Sequence, residues 1–236
     1  MEDFKNGLKN GIPIALGYLS VSFTFGLQAV NGGMSWWQAV LISLTNVTSA
    51  GQFAGLDIMT AGAGLWFEMA CTQFIINIRY SLMSLSLSQK TDPSIRGIHR
   101  FLIAFGITDE IFAVAMGSPN DVSNTYMYGL ISLPVLGWCS GTLLGAAAGQ
   151  LLPEIIRSAL NIAIYGMFIA IILPPARKNK AIMAVVIISV LLSCCFKWLP
   201  LLNSVSGGFV IILCAVIAAV AGAIFFPVKE EKADGN

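Results

Sequence analysis

Charge is scarce in this chain. Only 11% of its 236 residues are Asp, Glu, Lys or Arg, and there is one histidine, His99. A soluble domain carries roughly 25% charged residues, so an ordinary water-facing surface is excluded. Net charge is +1, which leaves no basic field for nucleic acid. A lone histidine in a charged loop, with no HExxH, GxSxG or P-loop, offers nothing for metal or nucleophilic catalysis. No enzymatic activity and no cofactor are expected. The five cysteines, Cys71, Cys139, Cys194, Cys195 and Cys214, form no CxxC and sit in apolar runs. They read as small buried hydrophobes rather than a disulfide or metal set.

What remains is oil. Hydrophobic residues make up 56% of the chain, and mean hydropathy is +0.80. Eight apolar segments can be marked, at 11–30, 36–57, 61–86, 99–117, 126–150, 155–175, 181–199 and 205–227. Several approach or exceed the about 18 residues of a membrane-span candidate. Backbone in lipid must satisfy itself, so every segment reads as helical. The fold class is all-α, a polytopic integral membrane helical bundle of six to eight membrane segments, with residues 1–236 as one transmembrane domain. The start, "MEDFKNGLKNGIPIALGYLSVSFTFG", places lysines before an apolar stretch as a signal peptide would. Its length, Pro13, Gly17 and the equally apolar segments that follow make it a retained first span. The tail "KEEKADGN" reads as solvated.

An internal repeat shows at one offset. "IALG" at 14–17 recurs as "IAFG" at 103–106, and "LISL" at 41–44 recurs at 130–133, both 89 residues on. The halves are then about 11–86 and 99–175, with 181–227 as extra segments.

Topology follows from the basic clusters: Lys5 and Lys9; Lys90, Arg96 and Arg100; Arg177, Lys178 and Lys180; Lys229 and Lys232. Positive loops favour the cytoplasm. Three segments separate the first cluster from the second, and three the second from the third. All four clusters, and both termini, lie inside only if one segment in each triplet enters and leaves on the same face. Segment 2 is the candidate in the first triplet, because "TNVTSAGQF" interrupts it. Its repeat partner, segment 5, holds Pro134, Gly137, Gly141, Gly145 and Gly149, but those glycines suit close helix packing better than a break. "GTLLGAAAG" in segment 5 and "AAVAGA" in segment 8 are expected as grooves for a partner helix.

Ionisable groups deep in segments are few: Glu68 and Arg79 in segment 3, Asp109 and Glu110 in segment 4. A charge at the bilayer centre costs about 2.5–3.5 kcal/mol even on lenient scales. On segment 3, Glu68, Thr72, Ile75 and Arg79 share a helical stripe, with Gln73, Asn77 and Tyr80 beside it. Asp109 and Glu110 diverge by about 100° and cannot both meet one partner. The shorter Asp109 suits a fixed pair with Arg79, leaving Glu110 to exchange protons. Adjacent carboxylates titrate as a coupled pair, which is what a proton-coupled carrier requires. The bland reading is a static buried bridge that fixes helix register.

"GIPIALGYLSVSFTFG", "SAGQF", "NIRYSL" and "GITDEIFA", in this order over roughly residues 5–175, resemble the AzlC-type permeases. These are the large subunits of bacterial branched-chain amino acid exporters. One departure is Tyr80, where that family usually has histidine. The resemblance implies export of valine, leucine, isoleucine or analogues across the inner (plasma) membrane, with a small AzlD-like membrane subunit as partner. A substrate or proton pathway is expected to comprise Gly51, Gln52, Phe53, Glu68, Gln73, Asn77, Arg79, Thr108, Asp109 and Glu110. Arg79 or a broken-helix N-terminus near Gly51–Gln52 would hold the substrate carboxylate, and Asp109 or Glu110 its ammonium. Phe23, Phe53 and Phe112 would wall the apolar side chain. A selective amino acid channel and a non-transporting assembly subunit are the rival readings.

Overall fold

The computed structural model describes residues 2–62, 64–148, 151–199, 202 and 204–227. Among them it contains ten helices and no strand: α1 (Glu2–Asn31), α2 (Trp36–Thr45), α3 (Ala50–Ala61), α4 (Trp66–Ser88), α5 (Ile98–Phe105), α6 (Asp109–Met116), α7 (Asn124–Ala148), α8 (Glu154–Lys178), α9 (Lys180–Trp198) and α10 (Gly207–Phe225). By length and composition α1, α7, α9 and α10 can each cross a membrane. Helices α4 and α8, at 23 and 25 residues, are also long enough to span. The chain divides into two compact units, one built on Met1–Gly64 and Ile76–Ile164, the other on Leu65–Ile75 and Tyr165–Asn236.

The first unit is organised by a glycine seam. Helices α1 and α7 run parallel with their backbones in contact, since the two sets of contacting residues advance together. A Cβ on Gly7 would stand 2.2 Å from Tyr126 O, one on Gly26 2.1 Å from Thr142 O, and one on Gly145 1.9 Å from Phe23 O. Gly129, Gly137 and Gly141 meet Phe4, Ala15 and Leu19 in the same way. Only hydrogen fits there, so small residues let two backbones approach as they do in membrane bundles. Segment 5 is therefore one continuous helix, and its glycines pack as the sequence suggests. The groove "GTLLGAAAG" is nonetheless filled by α1, not left for a partner, and Gly149 lies outside the described residues.

Two hairpins of short helices flank this seam. The first is α2–α3, broken at residues 46–49 where the sequence places an interruption. Gln38 Oε1 accepts from Ser35 N at 2.8 Å to start α2. At the far end of α3, Thr60 Cγ2 lies 2.7 Å from where a Gly32 Cβ would stand, so α3 returns to the end of α1 from which α2 departed. The second hairpin corrects the sequence reading. Segment 4 is not one helix: it breaks at Gly106–Thr108 into α5 and α6, each of eight residues. Each is about 12 Å long, under half of a roughly 30 Å hydrocarbon core. Its two ends meet. Thr91 bridges Val122, Asp92 N donates to Val122 O at 3.1 Å, and Val122 N donates to Lys90 O at 2.9 Å. The Lys90 ammonium caps the returning strand of chain, donating to Met116 O at 2.7 Å and Ser118 O at 2.5 Å.

The hairpins open toward opposite ends of α1. Ser123, beside the second hairpin's mouth, donates to Asp3 Oδ2 at 3.0 Å, at the start of α1. Gly32, beside the first, follows its end. Thirty residues of helix span about 45 Å between the two. Each triplet of segments thus holds one that folds back on itself as a hairpin. In the second triplet it is segment 4 rather than segment 5. At the 89-residue offset, a whole helix stands against a hairpin in both matches. By element type, helix-then-hairpin occurs at α1–α2–α3 and again at α4–α5–α6.

Apolar packing follows the same division. Ile103, Ile107, Ile111, Met127, Leu130 and their neighbours enclose the second hairpin, with Phe112 against them. Phe25, Ala29, Ala39 and Leu56 enclose the first, with Phe53 stacked edge-on to Phe25 at 5.5 Å. In the second unit α9 and α10 are antiparallel, with Gly222 against Val185, so "AAVAGA" also meets this chain's own helix. All five cysteines are free thiols; Cys214 is buried, but Cys195 faces outward, against expectation.

Candidate functional site

The two hairpin tips converge on residues from α1, α4 and α7. At the second tip, Thr108 is the N-cap of α6 and accepts from Ile111 N at 3.4 Å. Asp109 and Glu110 occupy the first helical turn, where the positive end of the helix dipole favours anions. This accounts for two adjacent acids within an apolar stretch: they sit at a helix start, not in a helix interior. Arg79 Nη1 lies 2.5 Å from Asp109 Oδ2, so the shorter acid is the arginine's partner. Glu110 turns away to Tyr18 on α1. The Tyr18 hydroxyl is 2.5 Å from Glu110 Oε2 and 2.5 Å from Thr108 Oγ1. With a single proton it serves the carboxylate, and the threonine hydroxyl completes the trio.

The first tip is built differently. Ser49 precedes α3 with φ 48° and ψ −92°, a positive φ that no other non-glycine described residue adopts. The sequence Ser49-Ala-Gly-Gln52 has the spacing of a capping box, yet Ser49 makes no side-chain cap. Gln52 is engaged elsewhere. Its Oε1 accepts from Trp138 Nε1 at 2.7 Å, and its Nε2 donates to Ser43 Oγ at 3.0 Å. Ser43 Oγ lies 2.7 Å from Thr142 Oγ1, which donates to Trp138 O at 3.0 Å. All four residues are buried. This closed polar network pins α2 and α3 to α7.

Tyr80 joins the tips. Its hydroxyl accepts from Arg79 Nη2 at 3.2 Å and donates to Thr48 O at 3.5 Å. Around this junction Thr48 Oγ1, Ser49 Oγ and Arg79 Nε are buried and have no hydrogen-bond partner. Native proteins rarely leave such groups unmatched without a functional or solvent-related reason.

The structure brings together Gly51, Gln52, Arg79, Thr108, Asp109 and Glu110 of the expected pathway, and Asn77 lies two residues before Arg79 on α4. Gly51 N donates to Thr48 O at 3.3 Å. Phe53 and Phe112 belong to the two apolar clusters, and Phe23 lends its backbone to the seam, so none of the three is shown as a pocket wall. Glu68 and Gln73 belong to the second unit. There Glu68 is buried and its Oε1 accepts from Gly208 N at 2.8 Å, capping the start of α10. Gln73 Nε2 reaches Met69 Sδ at 3.9 Å. Tyr18 and Trp138 escaped the sequence reading. Each is one polar-tipped aromatic in an apolar run, and no spacing marks it.

The family model described as "AzlC protein" matches residues 13–152. The inner membrane protein YgaZ of Escherichia coli is 28% identical over 186 residues, covering 76% of each chain. An uncharacterised membrane protein of Archaeoglobus fulgidus is 33% identical over 173 residues, covering 72% of this chain and 75% of its own. One from Helicobacter pylori is 26% identical over 153 residues, 64% of this chain and 66% of its own. No solved structure matches.

Proposed function

The chain belongs to the AzlC protein family, and on that premise we propose that it is an inner-membrane permease exporting branched-chain amino acids, coupled to protons and working with a small AzlD-like membrane subunit. One observation supports the substrate class most directly. Thr48 Oγ1, Ser49 Oγ and Arg79 Nε all retain unused hydrogen-bonding capacity where two helix N-termini converge. Such a place suits a carboxylate. Asp109 and Glu110, on the other side of Arg79, suit an ammonium group. A zwitterion would thus be bound at both ends while its side chain meets the apolar surroundings. Branched chains are the family's implied cargo.

The hairpins also support a topology with six crossings, by α1, α4, α7, α8, α9 and α10. The termini and loops 88–100 and 176–180 then share the cytoplasmic face. An engineered cysteine at Ser94 should resist labelling by impermeant reagent from outside; strong labelling there sinks this arrangement. Function is tested by reconstitution with and without the small partner, followed by counterflow of labelled leucine, isoleucine and valine. Counterflow that needs the partner and responds to a pH gradient is expected. Opposed half-helices also suit a selective channel. Flux indifferent to a pH gradient would favour that reading, and absence of amino acid binding would favour an assembly subunit.

A further inference from the structure

Tyr18 stands where both hairpins can be felt. Its hydroxyl holds Glu110 of the second hairpin at 2.5 Å. Its ring meets the Trp138 ring edge-on, with centroids 5.3 Å apart and planes at 78°. Trp138 in turn donates its indole N–H to Gln52 of the first hairpin. Tyr18 and Trp138 are 7% and 1% exposed, so neither contact is a surface accident. They also rest on the α1–α7 seam, the part of this unit least able to yield.

We propose that Tyr18 is a positioning residue that links Glu110 in one hairpin to Gln52 in the other through Trp138, so that the charge state of Glu110 is communicated to both hairpin tips. Calling that charge state a step of transport rests on the function proposed above; the linkage itself does not. The groups around Glu110 that carry or exchange charge are Tyr18 on α1, Asp109 beside it on α6, and Arg79 with Tyr80 on α4. Arg79 is committed to Asp109, so the tyrosine is the direct donor to Glu110. A hydrogen bond to a carboxylate is about twice as strong as one between neutral groups. When Glu110 takes up a proton, Tyr18 loses its charged acceptor and α6 is held less firmly to α1. The Trp138 ring then loses a fixed neighbour, and with it Gln52 loses a fixed donor.

The linkage can be read without transport. In the purified full chain, infrared difference spectra across a pH titration would follow the Glu110 carboxyl, identified by its loss in Glu110→Gln. Tyr18→Phe keeps the ring and removes the donor. It should raise the titration midpoint by about one pH unit, a tenfold change in proton affinity. Trp138→Phe and Gln52→Met touch neither the carboxyl nor the tyrosine hydroxyl, and each should move the midpoint in the same direction by about threefold. Their double variant should add nothing to either alone. An unmoved midpoint in Tyr18→Phe overturns the proposal. So does a shift in Tyr18→Phe with none in Trp138→Phe and Gln52→Met, because Tyr18 would then serve Glu110 alone. Should Tyr18→Phe fail to accumulate, the other two variants decide in the same way. Counterflow of labelled amino acids is scored separately: its failure beside intact titration shifts removes the transport reading and leaves the linkage standing.

Discussion

The two hairpins share a shape and differ in how their tips are satisfied. The second is closed at every end. Thr108 caps α6, Arg79 and Tyr18 each take one acid, and Lys90 caps the far carbonyls. The first is firmly held through Gln52, but its tip is strained at Ser49 and leaves two buried hydroxyls unmatched. Stored strain and unmatched polar groups gather where a structure must accept something. The second hairpin thus holds its polar groups in direct pairs, and the first leaves some of its own open.

The largest effect should come from undoing the closed tip. Asp109→Asn leaves Arg79 without its charge partner. The cost should be about 3 kcal/mol, at the low end for a broken buried pair, because the two side chains are 43% and 39% exposed. Folded yield and thermal midpoint in detergent would report it; normal values for both would mean the pair holds nothing. Next is Gln52→Leu, which strands Trp138 Nε1 and a serine–threonine pair in the interior. About 1–3 kcal/mol should be lost, with a thermal midpoint lower than wild type. Lys90→Met acts at the other end of the second hairpin and uncovers two carbonyls. A loss of about 1–2 kcal/mol is expected, with faster hydrogen exchange confined to α6 and the 117–123 loop. Exchange that speeds up equally around the first hairpin would blur the distinction between the two.

The smallest change sharpens the comparison most. Ser49→Gly relieves the positive φ and should stabilise by about 1 kcal/mol, a rise of roughly 2–4 °C. The same change removes a hydroxyl from the open tip, so amino acid affinity should fall while stability rises. If affinity and stability rise together, Ser49 is strained for no purpose of binding.

Much of this was legible in the chain, though unevenly. The break at 46–49 could be read because Asn46, Thr48 and Ser49 have no business in an unbroken apolar helix. The partnership of Arg79 with Asp109 could be read from reach and rarity of charge. The second break was hidden by hydropathy: residues 99–117 average as one segment, and length alone makes them a span. The signal was present as Gly106-Ile-Thr108-Asp109-Glu110, a cap residue followed by acids, which marks a helix start. Glycines four apart in α7 announced a close neighbour but not which one. Tyr18, Trp138 and the Gln52 network depend on three-dimensional meeting across more than 80 residues of chain, and no local pattern encodes it.

The glycine seam has one more consequence, for length rather than composition. Because α1 and α7 touch backbone to backbone, their register has no side chains to adjust. Inserting a single residue between Gly137 and Gly141 would turn the following seam glycines, Gly141 and Gly145, by about 100° away from α1 and present bulkier faces instead. Inserting four would turn them by only about 40° and shift them one turn along. The seam behaves as a ruler marked in helical turns, so this part of the chain is free to drift in many letters but hardly at all in count.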